Sequence, residues 1–515
     1  MTHLTEVSVP TRHGEILCTP EFGRWLELAE ATARRLDAVR VFGEPLGVLR
    51  AQARSELVGC AQALLGRWGF APPEGCEGPW VVTGHQPTLY HPGIWIKTWA
   101  VDIRAGHGAT GLHVVVDSDE CQGWGARIPR RDGTLRAVQR TLVACGEAVP
   151  FEAAPVPEEA RWRAFCAQLR DDLETLGLPE LVERVFRAEQ AGLESLSRAR
   201  HLGEFGAGLR RRLETKYRPV RYWEVTVSEL SKTQAFRHFA GWIAHDAERF
   251  RACHNAALEE YRRQQGLRSA AQPFPNLRQE GDRVELPFWL VREGVRRPVF
   301  VRPGTRPVVF CEGKPLGELT DLGPEGLRPR ALTLTLFLRL LVADLFVHGV
   351  GGARYDRVTD RVLQEFFGVT PPPPFAVLTA TFHLPLARHA DPKAAYAAAQ
   401  RLWLDLQHNP DRHLPEHAQA RPLVEEKWRC IRALEAPDLP RSARRELTRR
   451  IRAINEALRV HLHDRIAEVE AELEALRREV QEHEVAADRG YPFFLFDPEE
   501  VCAPLRAREG VRCGR

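Results

Sequence analysis

One stretch near the amino end constrains the fold most, because a buried strand, a glycine turn and a helix follow one another within it. Residues 80–83 (Trp-Val-Val-Thr) form the β-branched and aromatic run typical of a buried strand. Gly84 permits a sharp turn, and the apolar spacing of residues 94–105 predicts a helix. A second strand is predicted at residues 112–117. This order is that of a βαβ unit, which has parallel strands and a right-handed crossover.

The βαβ unit places polar side chains at one edge of the predicted sheet. His85 and Gln86 follow the first strand, and Asp117 and Asp119 follow the second. Open α/β sheets bind ligands at the carboxyl ends of their strands. Lys97, inside the connecting helix, is placed to neutralise a bound anion. We therefore expect an anion-binding crevice with His85, Lys97, Asp117 and Asp119 as catalytic candidates. The alternatives are a histidine that bonds only its own loop, a surface lysine and a solvated acidic loop.

A second segment, residues 327–388, repeats this order of parts. Arg328 precedes an apolar run at 332–349 that we interpret as a strand, and a glycine turn is predicted at 350–352. Glycines there allow a ligand to approach the backbone closely. A helix and, after the prolines at 371–374, another strand complete the segment. The expected residues that bind substrate or cofactor are Gly84, Gln86, Arg328, Gly351, Gly352, Arg354, Tyr355 and Asp356.

Together, the two segments predict an α/β fold, a Rossmann-like doubly wound parallel sheet with smaller inserted segments. Short antiparallel strands are expected within 266–312, and the Asp132-Gly133 pair predicts a hairpin. Between Leu447 and Val480, apolar residues recur at spacings of three and four, which predicts one long helix in a coiled-coil arm. The expected domains are residues 1–150 with the first half of the core, 151–326 as inserted segments, 327–388 as the second half, 389–487 as the arm, and 488–515 returning to the core.

Composition narrows the classes of function. The 72 basic and 69 acidic side chains leave a net charge of only +3, so we expect neither a nucleic acid nor a membrane surface as partner. No apolar run is long enough for a membrane span and no signal pattern is present, which predicts a cytoplasmic protein. The 11 cysteines contain no CxxC pair. We expect them to be reduced structural thiols, and we find no metal motif.

The motifs, in this order, resemble those of the cysteine-adding enzyme family of bacillithiol biosynthesis. The family's TGQQ turn and helical lysine correspond to Thr83–Gln86 and Lys97, and its acidic run corresponds to 117–119. Its Arg-Pro and double-glycine motifs correspond to 328–329 and 351–352. His85 stands where the family has glutamine, and Tyr355 or Asp356 would have to serve for its acidic and tyrosine positions.

The resemblance implies a carbon–nitrogen ligase of low-molecular-weight thiol synthesis. Such an enzyme joins the carboxyl group of cysteine to the amine of a small anionic acceptor, glucosaminyl malate, and dimerises through its coiled-coil arm. Because a free carboxylate needs activation, we expect ATP or another nucleotide as cofactor, although no P-loop is present. One alternative is a nucleotidylyl-transferring or adenylating enzyme of the HIGH type, suggested by the turn at His85 and by residues 231–233 (Ser-Lys-Thr). The other is a non-catalytic coiled-coil scaffold.

Overall fold

The computed structural model describes residues 8–269, 271–322, 326–386, 391–414 and 417–509. Within these ranges the strands are β1 Glu15–Thr19, β2 Arg40–Val41, β3 Glu44–Pro45, β4 Trp80–His85, β5 Thr110–Val115, β6 Trp124–Asp132, β7 Thr134–Val143, β8 Trp223–Thr226, β9 Gln279–Glu280, β10 Arg283–Arg292, β11 Val295–Arg302, β12 Val308–Cys311, β13 Lys314–Glu318, β14 Leu327–Pro329, β15 Leu345–His348 and β16 Phe375–Thr381. The helices are α1 Trp25–Asp37, α2 Leu46–Trp68, α3 Pro92–Ala105, α4 Glu159–Glu174, α5 Pro179–Leu196, α6 Leu202–Tyr217, α7 Val227–Leu230, α8 Gln234–His245, α9 Ala247–Gln265, α10 Ala331–Leu341, α11 Val350–Glu365, α12 Lys393–His408, α13 Arg421–Leu434, α14 Arg441–Val460, α15 His463–Ala486 and α16 Pro498–Glu509. The chain is therefore a mixed α/β protein.

The chain divides into two compact units. The larger contains the described residues of Met1–Ile128, Val138–Leu384 and Arg489–Arg515, and the smaller those of Pro129–Ala137 and Pro385–Asp488. Among the described residues, every helix is too short or too polar to cross a membrane.

A six-stranded sheet forms the centre of the larger unit, in the order β1-β16-β15-β4-β5-β8. The last five strands of this order are parallel, and only β1 runs antiparallel, against β16. The predicted parallel pairing of the strands on either side of α3 is confirmed. β4 and β15 are neighbours, yet the chain leaves β4 toward β5 and leaves β15 toward β16. Right-handed crossovers in opposite directions place α3 and α11 on opposite faces of the sheet.

Side-chain alternation explains how both faces of this sheet are buried. Trp80 and Val82 of β4 belong to a core that also contains residues of α2, α10 and α11. α3 covers the other face, where a Cβ at Gly111 of β5 would lie 2.8 Å from Val101 Cγ1. The near-continuous apolar strands follow from this burial on two sides.

A second sheet in the larger unit is antiparallel, in the order β13-β12-β11-β10-β14, with β9 paired to β10. The strands predicted within residues 266–312 are therefore confirmed, and the sheet extends to Pro329. The predicted turn at Gly133 is also confirmed, because Gly133 joins β6 to β7 with a φ of +69°.

The interpretation of residues 332–349 as one strand is wrong. Their first part is helix α10, and only 345–348 form a strand, β15. The helix is apolar on almost all sides because nearly all of it is buried. Its sequence therefore lacks the 3.6-residue period of apolar and polar positions that marks a half-buried helix. The predicted glycine turn is likewise the first turn of α11.

The single long helix predicted through residues 447–480 is also wrong, because the chain breaks at His461–Leu462, between α14 and α15. In the smaller unit α13 packs on α14, and α12 packs on α15. Residues of these helices share a core that includes Leu406, Leu458 and Val469.

The expectation that all cysteines are reduced fails for one pair, since Cys121 and Cys145 form a disulfide. Eight others are free thiols, and Cys513 lies outside the described residues. The disulfide joins the loop after β5 to the segment after β7, a pairing that residue spacing alone cannot reveal.

Candidate functional site

The candidate site lies at the carboxyl end of β4, at the point where the crossovers from β4 and β15 diverge. Strand pairing carries Phe346 beside Val82 and Val347 beside Thr83, so His85 and Gly349 both follow at this edge. Divergent crossovers leave a crevice at such a point because no helix covers it, and ligands of open α/β sheets bind there. The neighbouring β5 ends at the same edge and leads to Asp117.

Lys97 is the most unusual residue at this edge. Its side chain is buried, with 4% of the residue exposed. Its Nζ donates one hydrogen bond, of 3.1 Å, to the main-chain oxygen of Gly84. Within the described ranges no carboxylate lies at ion-pair distance from it, and burial lowers its pKa from 10.5 to about 8. A buried ammonium is normally paired, because desolvating an isolated charge costs several kcal/mol. Lys97 therefore offers a charge and unused donors to an anion.

Two histidines lie near Lys97, and an arginine lies beside one of them. Burial and the charge of Lys97 lower the pKa of His85 to about 3. Burial, together with Arg489 and then Lys97, lowers the pKa of His91 to about 4. Burial also lowers the pKa of Arg489, which donates a 3.0 Å hydrogen bond to Thr379 Oγ1. In the described part of the chain none of these side chains forms an ion pair.

The tautomer of His85 follows from its contacts. Nδ1 lies 3.1 Å from the main-chain oxygen of Gln86, which can only accept, so Nδ1 carries the proton. Because the low pKa keeps the ring neutral at pH 7, Nε2 has a free lone pair. Tyr90 packs edge-on against the ring, with 5.0 Å between centroids. His85 can thus accept a hydrogen bond from an amine or hydroxyl group of a ligand.

Two glycines allow the backbone to take this shape. A Cβ at Gly84 would lie 2.8 Å from the main-chain oxygen of Val114 on β5, and a Cβ at Gly93 would lie 2.3 Å from that of Ala380. Pro92 opens α3, and His91 caps it by accepting from the Gly93 N–H over 3.1 Å. The turn is therefore held close to the strand ends, with Lys97 one turn inside the helix.

The acidic loop after β5 is occupied by structural contacts. Asp117 is fully buried and accepts hydrogen bonds of 2.9 Å and 2.5 Å from the Ser228 main-chain N–H and Oγ. Burial raises its pKa to about 6. Asp119 accepts from Gln86 and forms a 3.0 Å ion pair with Arg296 of β11. Both residues lie at the predicted edge, but they follow β5 in a loop and point to different partners.

The predicted residues of the second segment do not come together in one site. Arg328 is buried and holds Glu152 through two parallel hydrogen bonds. Asp356 is buried against Arg339 at 2.6 Å and His348 at 2.8 Å. The arginine charge brings the pKa of Asp356 down to about 2 even though burial opposes this. Neither carboxylate nor guanidinium is left for a ligand.

Gly351 and Gly352 lie exposed in the first turn of α11. A Cβ at Gly351 would meet no described residue within 4 Å, whereas one at Gly352 would lie 2.7 Å from His348 Nδ1. Arg354 and Tyr355 line a separate cleft beside α9. The structure therefore brings Gly84, His85 and Lys97 together and places Arg354 and Tyr355 elsewhere.

No family model matches this chain, and no curated protein is significantly similar to it in sequence.

Sequence reasoning missed His91, His348, Arg296 and Arg489. His91 could have been found, because it precedes a proline at a helix start and histidine can cap a helix. The sequence signal for Arg489 is weaker: it precedes an apolar segment that returns to the core.

The described residues contain no cluster able to hold a metal ion. Residues 231–233 connect α7 to α8, where Thr233 caps α8 and Lys232 lies 3.5 Å from Glu229.

Proposed function

We propose that this protein is an enzyme that binds a small anionic substrate at the carboxyl end of β4. The observation that carries the proposal is Lys97, a buried ammonium group near two neutral histidines, with no carboxylate partner in the described part of the chain. Folding such a group without an anion is unfavourable. A bound carboxylate or phosphate would supply the missing negative charge and accept the unused hydrogen bonds.

The chemistry we propose is that of a carbon–nitrogen ligase of the cysteine-adding type. The acceptor is a small anionic amine such as glucosaminyl malate, and the amino acid is cysteine, as the resemblance of the motifs at 83–86, 97 and 117–119 implies. Lys97 would bind the anionic group, and the Nε2 of His85 would accept a hydrogen bond from the attacking amine, orienting its lone pair. ATP or another nucleotide would activate the carboxyl group. The amine would attack in its neutral form, after its ammonium form has released a proton to solvent. The new carbon–nitrogen bond would replace the bond from the carboxyl carbon to the activating phosphate or nucleotide, which leaves, and the remaining extra proton on nitrogen would also pass to solvent.

The architecture within which we place this activity is a Rossmann-like, doubly wound core with a helical arm. Two features support the Rossmann-like core: the crossovers from β4 and β15 diverge, and helices cover both faces of the sheet. The packing of α12 on α15 and of α13 on α14 supports a helical arm, and a homodimer formed through its apolar seam remains part of the proposal. A cytoplasmic location belongs to the same proposal.

Isothermal titration of glucosaminyl malate into the wild type and into Lys97→Met tests the binding step. Losing one charge-assisted hydrogen bond of about 2 kcal/mol should weaken binding by about 30-fold. Binding should also weaken as the pH rises above about 8, because the free ammonium group loses its proton there. Lys216→Met is the matched control, since Lys216 is half exposed and pairs with Glu194. Equal affinity in all three proteins would exclude Lys97 from the site.

Mass spectrometry of reactions containing cysteine, ATP and glucosaminyl malate tests the chemical step. The expected product is heavier by one cysteinyl residue, and it should not form with the N-acetylated acceptor, which lacks a free amine. His85→Ala should bind the acceptor and form product more slowly. Exchange of pyrophosphate into ATP with an acid present but no amine product would instead favour the adenylating alternative.

A further inference from the structure

A second cleft lies between α9 and α11, on the face of the sheet away from α3. Its volume is about 650 Å³, within the range of small-molecule sites. Tyr261 and Gln265 of α9 form one wall, Arg354, Tyr355 and Arg357 of α11 form another, and Gln272 closes one end. Every one of these side chains can donate a hydrogen bond.

The two arginines of this cleft have no partner of opposite charge among the residues that the structure describes. In the described part of the chain neither Arg354 nor Arg357 forms an ion pair, and the lining contains no acidic residue. Arg361, one turn further along α11, shows the usual arrangement, with Nε 2.5 Å from Glu365. Two unpaired guanidinium groups on one wall create a positive potential inside the cleft.

The tyrosines provide both rings and donors. The rings of Tyr261 and Tyr355 meet edge-on at 5.9 Å, and Phe274 packs on Tyr355 at 5.5 Å. Burial raises the pKa of Tyr261, so its hydroxyl group keeps its proton and donates. A ligand in this cleft therefore meets an aromatic surface beside a group of donors.

We propose that this cleft binds the phosphate group of a small phosphate ester. Two guanidinium groups and two phenols offer more donors than the two oxygens of a carboxylate can accept, whereas a phosphate presents three terminal oxygens and close to two negative charges. The tyrosine rings would pack on the part of the ester next to the phosphate. This site is separate from Lys97, and its existence does not depend on the ligase proposal.

Calorimetric titration with phenyl phosphate at constant ionic strength tests the site. The wild type should bind it in the millimolar range or tighter, and benzoate, which has the same ring and a carboxylate, at least about tenfold more weakly. Arg354→Gln and Arg357→Gln should each weaken phenyl phosphate binding by about tenfold. Arg361→Gln removes one charge from the same helix and should leave the affinity unchanged. Because Lys97 is itself proposed to bind anions, the titrations are repeated in Lys97→Met, where the arginine variants should cause the same losses; this separates the cleft from the site at β4.

Tyr355→Phe keeps the ring and removes only the hydroxyl group, so it provides a variant with little risk to folding. It should weaken phenyl phosphate binding severalfold and leave benzoate unchanged. The proposal is overturned if phenyl phosphate does not bind, if both arginine variants bind it like the wild type, if Arg361→Gln weakens it equally, or if benzoate binds as tightly.

Discussion

Replacing Lys97 with methionine is expected to make the ligand-free protein more stable. Methionine has about the length of the lysine stem and fills the same buried space without a charge. The lysine is 4% exposed and, among the described residues, has only the Gly84 oxygen as a hydrogen-bond partner. Its ammonium group is therefore held in the folded state at a cost that the unfolded chain, in water, does not carry.

The lowered pKa gives the size of this cost. The pKa falls from 10.5 to about 8, and each unit corresponds to about 1.4 kcal/mol, so the charge lowers the free energy of unfolding by about 3 kcal/mol below pH 8. The cost disappears as the pH rises from 8 to 10.5, because the folded protein releases this proton before the unfolded chain does. The variant also loses the hydrogen bond to Gly84, which reduces its gain in the free energy of unfolding by about 1 kcal/mol. The net gain for Lys97→Met is about 2 kcal/mol at pH 7 and close to zero near pH 9.5.

Hydrogen exchange in increasing urea, followed by mass spectrometry of peptides from α3, measures this gain in the unit that contains Lys97. Lys427→Met is the matched control. Lys427 is equally buried, but its Nζ lies 2.5 Å from Asp411 Oδ1. Removing this partner leaves a buried carboxylate alone and should destabilise the smaller unit by about 3 kcal/mol, read from peptides of α13.

Two results would refute this reasoning about Lys97. A loss of stability in Lys97→Met at pH 7 would mean that the ammonium group has a compensating partner. A gain that stays constant between pH 7 and pH 9.5 would mean that packing, not charge, causes it.

Three further perturbations follow from the structure. Replacing Cys121 and Cys145 with serine should lower the free energy of unfolding by about 3 kcal/mol, since the disulfide closes a loop of 24 residues. Urea unfolding with and without reductant measures this loss, and a wild type whose stability does not respond to reductant would contradict the prediction. Gly84→Ala should lower the melting temperature and cost about 1–3 kcal/mol, because the new Cβ would lie 2.8 Å from a main-chain oxygen of β5. Asp356 has a pKa of about 2 in the folded protein against 3.8 when free, so it adds about 2 kcal/mol of stability that is present above pH 4 and lost as the pH falls through 2. Asp356→Asn should abolish this acid dependence in urea titrations at low pH and leave Arg339 short of one partner.

Local patterns were sufficient for the centre of the fold. The strand at 80–83, the turn at Gly84 and the helix after it have different periodicities, and the parallel pairing follows from their order. The interpretation of residues 332–349 as one strand fails because Leu and Thr alternate in the first part, as in a strand, although that part is a buried helix. When an element is buried on all sides, periodicity does not distinguish helix from strand.

The break in the predicted long helix has a different origin. Ile454, Leu458, Leu462 and Ile466 are spaced by four throughout, so the apolar stripe advances about 40° around the helix at each step. After three such steps the stripe no longer faces the same partner. The backbone ends one helix at Val460 and starts the next at His463, which returns the apolar side chains to the core of the smaller unit. A heptad count records the spacing but not this rotation.

The site was predicted less well than the fold, because whether a charged residue is available depends on its partner. Arg328 and Asp119 are neutralised by Glu152 and Arg296, each pair separated by more than 170 residues in sequence. No local pattern predicts such pairing. Lys97 and Arg328 are both candidates from the sequence, yet only in the fold does Lys97 prove to be buried without an acid within the described ranges. The candidate site is therefore identified by a buried charge that has no ion-pair partner within the described ranges. Most of the other buried charges of this protein are paired, and a buried charge without a partner lowers the stability of the folded state.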